Sequence, residues 1–94
     1  MERETLVARM AVQMEAQLRA NEHKGGWPNC HPSWLCAELT RNLAELQHVI
    51  LRADYAHEWS RQDAVRRCAN IANFAAMIAD NLGALPEVDQ QATP

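Results

Sequence analysis

Glycine and proline are scarce, and where they are missing matters more than where they occur. Three glycines and four prolines are confined to residues 25–32 and 83–94. The stretches between are filled with Ala, Leu, Glu, Arg and Gln, which argues for an all-α chain. Lysine is almost absent: eight of the nine basic residues are Arg, and the single Lys, Lys24, sits in the glycine-bearing loop. Acids outnumber bases to a formal net charge of -3, which gives no general attraction to nucleic acid. No run approaches the ~20 apolar residues of a membrane span, so no membrane partner is expected. Charges at Glu2, Arg3 and Glu4 do not fit a signal peptide. Three cysteines, an odd number spread along the chain, fit a reduced, cytoplasmic protein. At 94 residues there is room for one domain with a modest core, residues 1–85, followed by a disordered tail over 86–94.

Apolar spacing predicts three long helices. Leu6, Val7, Met10, Met14 and Leu18 form a stripe over residues 4–22, ended by Gly25 and Gly26. Ser33 is the expected N-cap of a second helix, whose stripe is Leu35, Leu39, Leu43, Leu46 and Ile50 and which fades near Asp54. Residues 54–59, with Tyr55 and Trp59, fit either a short helix or a packed turn. Ser60 to Asp63 looks like the capped start of a third helix that runs to Leu82, with Gly83 as its C-terminal cap. Alanines at 64, 69, 72, 75, 76 and 79 give this helix a small surface for close approach. Apolar residues lie on more than one face, at Met10, Val12, Val49, Phe74, Met77 and Ile78. They predict a bundle completed by homo-oligomerisation, most simply a dimer. A monomer with scattered exposed apolar residues is the plainer alternative.

Several residues suit a nucleotide. Lys24, Gly25 and Gly26 offer backbone N–H groups, a flexible turn and an ammonium, a combination able to cradle an anion. Trp27 and Trp34 offer flat faces for a base, although on composition alone a glycine pair ending a helix above core tryptophans is the more ordinary reading. Arg66, Asn70, Asn73, Met77 and Asp80 recur at spacings of four and three along the third helix. Asparagine is a poor helix former, so this stripe suits either a base-reading face or a polar network between helices. Cys30, His31 and Cys36 are close in sequence but match no zinc-site spacing, and ordinary thiols are the better reading.

Two strings carry a resemblance: Glu22-His23-Lys24-Gly25-Gly26-Trp27 and Asn73-Phe74-Ala75-Ala76-Met77-Ile78-Ala79-Asp80-Asn81. With the leucine-rich helix between them, they resemble small phage-type members of the MazG-like all-α nucleoside triphosphate pyrophosphohydrolases. That family holds Mg²⁺ with acidic pairs spaced i, i+3 on two helices, a geometry that puts both acids of a pair on one face. Laid over this chain, the pairs fall on Asn42 with Glu45 and on Arg67 with Asn70, so three of four expected carboxylates are missing.

The resemblance therefore implies a kept pocket and a lost metal site: a non-catalytic binder of a nucleotide or nucleotide-derived signal, without cofactor. Lys24, Arg67 and Arg41 are the expected phosphate ligands. Trp27, Asn42, Asn70, Asn73 and Asp80 are expected to face base and sugar. A phage protein of this kind, in the cytoplasm of its bacterial host, would act as a sponge against a nucleotide-signalled defence. One alternative is an Mg²⁺-dependent pyrophosphohydrolase at a rearranged site around Glu45, with Asp63 and Asp80 as substitute acids. Another is a scaffold that uses the same fold to bind protein.

Overall fold

Proline at the head of one helix and asparagine at the foot of another set the frame. The computed structural model describes residues 2–52 and 58–88. Helix α1 spans Arg3–Ala20, α2 spans Pro32–Arg52 and α3 spans Glu58–Asn81, with a single 3-10 turn at Glu22–Lys24. Among the described residues there is no strand. Part of the ambiguous segment 54–59, including Tyr55, lies outside the described residues, as do residues 89–94 of the expected tail.

The helix ends depart from expectation in instructive ways. The N-cap of α2 is His31, not Ser33. Its carbonyl accepts the N–H groups of Trp34 and Leu35 at 3.0 and 3.2 Å, and its Nδ1 accepts the Ser33 N–H at 3.1 Å. Pro32 drives the shift, because its fixed φ suits the first helical position and it has no N–H to satisfy. Ser60 does not cap α3, since the helix begins at Glu58 and buries Ser60 inside it. No Gly or Pro precedes Ser60 closely enough to stop the helix there. α1 closes earlier than expected. The Asn21 N–H is shared between the carbonyls of Gln17 and Leu18, and its side-chain Nδ2 donates to Gln17 at 2.9 Å. Gly83 ends α3 as expected, with φ of 72° and its N–H on Asp80 at 3.0 Å.

α2 and α3 pack along each other, and α1 packs on α3 alone; no Cα of α1 comes within 8 Å of one in α2. Among the described residues, Leu35 and Ala69 are the apolar side chains that are fully buried. Beside them lie three buried polar residues, Asn42, Ser60 and Asn73. Met10, Met14 and Leu18 are half-buried, but Leu6, Val7 and Val12 of α1 are exposed, as are Leu43, Ile50 and Leu51 of α2.

So thin a core makes each buried apolar side chain count. Leu35→Ala is expected to cost about 2–5 kcal/mol. Urea denaturation followed by circular dichroism checks it, and a midpoint unchanged from the parent would show that Leu35 does not anchor the bundle.

Candidate functional site

A cleft of about 500 Å³ opens between the end of α1, the loop after it, the first half of α2 and the middle of α3. It gathers Lys24, Trp27, Arg41, Asn42, Arg67, Asn70 and Asn73. Asp80 and Glu45 are not on its wall. Trp34, Arg66, Glu38 and Gln17 are; Arg66 belongs to the polar stripe read from the sequence, whereas Glu38 and Gln17 had no place there. Trp34 shows 54% of its surface and belongs to the cleft rather than to the core.

The loop wall is fastened to the end of α3. Asn81 Nδ2 donates to the carbonyls of Trp27 and Cys30 at 2.8 and 2.9 Å. The Trp27 indole N–H donates to Asp80 Oδ2 at 3.0 Å, which fixes the ring. Asp80 thus engages the loop, and its bonded oxygen is turned toward Trp27. The N–H groups of Lys24 and Gly25 are consumed by the turn, on the carbonyls of Asn21 and Glu22. The N–H groups of Gly26 and Trp27 have no partner among the described residues. Gly25 takes φ of 85°, a conformation that suits glycine and swings the chain toward Trp27.

The asparagines of the helices are pins. Asn42 Nδ2 donates to Glu38 O of its own helix at 2.9 Å. Asn73 Nδ2 crosses from α3 to Met14 O of α1 at 3.0 Å, and its buried Oδ1 has no partner. The Asn70 side chain makes no hydrogen bond among the described residues, which leaves its amide open to the cleft.

Opposite the loop lies a belt of ion pairs. Arg41 meets Glu38 at 2.7 Å and Glu45 at 3.2 Å. Its guanidinium is held above the ordinary arginine range, first by the hydrogen bond it donates to Glu38 and then by that carboxylate's charge. Arg66 pairs with Asp63, and Arg67 lies between Glu45 and Asp63, its Nε 3.8 Å from the latter. The pair between Arg67 and Glu45 joins α3 to α2. Glu45 Oε2 lies against Arg67 Nη1, yet neither Oε2 nor the buried Arg67 Nε makes an aligned hydrogen bond. Glu45 and Asp63 also border a shallower hollow with His48 and Val49. Lys24 differs from these arginines: among the described residues its ammonium has no carboxylate partner.

A divalent ion does not suit this donor set. Of the four positions that the resemblance assigns to metal, Asn42 is engaged with its own helix, Arg67 is cationic, and Glu45 is already neutralised by Arg67 and Arg41. Asp80 lies 17 residues beyond Asp63 on one helix, a rise of about 25 Å, so those two acids cannot share an ion. Among the described residues no three His, Cys, Asp or Glu side chains gather as a metal site would need. Cys30, Cys36 and Cys68 are free thiols.

No family model, curated protein or solved structure matches the chain.

Asn81→Ala removes the two hydrogen bonds from its side-chain amide to the loop. It is expected to cost about 1–3 kcal/mol and to speed hydrogen exchange at Cys30 while the middle of α2 stays protected. Unchanged exchange in the loop would mean that Trp27 and Asp80 suffice to hold it.

Proposed function

We propose that this chain is a MazG-like all-α domain that binds a nucleotide or nucleotide-derived small molecule without metal and does not cleave it. The observation that carries the reading is the composition of the cleft. It sets an unpaired ammonium, two open N–H groups and two indoles across from guanidinium groups that neutralise the neighbouring acids. Lys24 and the loop take phosphate. Trp27 and Trp34 offer stacking faces, and Asn70 offers a donor and an acceptor to base or sugar. Arg41 and Arg67 shape the field of the cleft, but each is already committed to carboxylates. Asn42, Asn73 and Asp80 build the walls. A phage-encoded sponge in a bacterial cytoplasm extends this reading and rests on the resemblance alone.

The test is thermal denaturation with a nucleotide panel, in EDTA and in Mg²⁺, together with product analysis. Stabilisation in EDTA without turnover is expected, and Lys24→Met should weaken binding by about 1 kcal/mol or more, since it removes one charged contact. Mg²⁺-dependent release of pyrophosphate would overturn the reading in favour of the hydrolase. No stabilisation by any nucleotide would favour a scaffold.

We further propose that a second copy covers the exposed apolar faces. Leu6, Val7 and Val12 on α1 and Leu43, Ile50 and Leu51 on α2 support this. Light scattering after size exclusion is expected to give twice the chain mass, and Val7→Glu with Val12→Glu to shift it to the monomer. A parent protein that runs as a monomer at tens of micromolar would end this proposal.

A further inference from the structure

We infer that the cleft selects ligands with one phosphate, as a monoester or a diester, over di- and triphosphates. This inference rests on the proposed reading of the cleft and deepens it.

The cations of the wall differ in whether a carboxylate already holds them. Four cations line the cleft: Lys24, Arg41, Arg66 and Arg67. Three of them are tied to carboxylates, Arg41 to Glu38 and Glu45, Arg66 to Asp63, and Arg67 to Glu45 and Asp63. That leaves Lys24 as the wall cation with no carboxylate partner among the described residues. A phosphate monoester brings about 1.5 to 2 negative charges at neutral pH, and each added phosphate brings at least about one more. One ammonium and the N–H groups of Gly26 and Trp27 suit a single phosphate.

A triphosphate without metal would need the arginines as well. Moving Arg41 and Arg67 onto phosphate takes both cations from Glu45, whose Oε2 is buried and has no aligned hydrogen bond even now. Glu45 and Glu38 would then face the triphosphate without the cations that now offset them, and their repulsion would count against it. The arginines are thus held by acids of the protein, and they lower the affinity for longer phosphate chains instead of raising it. Asn73, 5% exposed and with an unpartnered Oδ1, marks the polar side of the cleft nearest α1 and adds no positive charge.

Isothermal titration in EDTA tests this with nucleosides, 5′-monophosphates, 3′,5′-cyclic monophosphates and 5′-triphosphates of all four bases, and with inorganic phosphate. The parent protein is expected to bind a mono- or cyclic phosphate at least about tenfold more tightly than the matching triphosphate, the order that one contact charge is worth at a partly screened site. Glu45→Gln removes a carboxylate held by both Arg41 and Arg67 and is expected to narrow that preference by about tenfold, and Lys24→Met to reduce the advantage of a monophosphate over its nucleoside. Melting of each apo variant checks that it is folded. Triphosphates that bind as tightly as monophosphates, or a preference unmoved by Glu45→Gln in a folded variant, would overturn the inference while the nucleotide-binding reading stands. Failure of every nucleotide to bind would remove both.

Discussion

Side-chain amides turned onto main-chain carbonyls hold this bundle in shape. Asn21 closes α1 on Gln17, Asn42 back-bonds within α2, Asn73 ties α3 to α1 at Met14, and Asn81 ties α3 to the loop at Trp27 and Cys30. Each bond contributes only about 1 kcal/mol net. Their importance is directional. Few apolar side chains are fully buried, so hydrophobic burial alone leaves the position of α1 and the path of the loop weakly specified. A carbonyl accepts from a narrow range of angles, and a short amide reaches it from one register only. The cleft exists because two of these amides hold its loop wall and its α1 wall at fixed places along α3.

The belt of arginines solves a second problem, how to bring acids of α2 and α3 together. Glu45 on α2 and Asp63 on α3 both face Arg67, which serves them as a shared cation. On the proposed reading this is the face where relatives of the MazG-like type place Mg²⁺. A guanidinium differs from the ion in being covalently attached and planar, and in never exchanging with solvent. Swapping one for the other keeps the cross-link between helices but removes the means to activate water. It also fixes the sign and amount of charge that a ligand meets, because an attached cation cannot be recruited in proportion to the phosphates present.

The helices were legible in the sequence because their stripes are long and their breakers few. Gly83 was legible because a positive φ leaves glycine little competition. What stayed hidden depended on contacts between distant residues. Ser33 and Ser60 are good caps in isolation, but Pro32 preset one helix start and burial absorbed the other. The stripe of Asn70, Asn73 and Asp80 was correctly seen as unusual for a solvated helix. Whether an asparagine meets a ligand or a carbonyl depends on what lies opposite, which spacing does not encode. Asn73 faces α1, Asp80 faces an indole, and Asn70 faces open cleft. Free N–H groups were expected at Lys24, Gly25 and Gly26. The 3-10 turn consumes the first two and leaves that of Gly26, with Trp27 beside it, unpartnered among the described residues.

The attachment of α1 then links fold to binding. α1 reaches the rest of the protein through α3 and through the loop that follows it, and both of those form walls of the cleft. A ligand lodged between Lys24 and the amides of α3 would bridge the same parts that Asn73 and Asn81 bridge. Binding must therefore stabilise the docking of α1, and anything that docks α1 more firmly must raise affinity by the same free energy. A second copy covering the exposed face of α1 would be one such influence. Oligomerisation and ligand capture would then be coupled through a single helix, with no residue of the partner needing to touch the ligand.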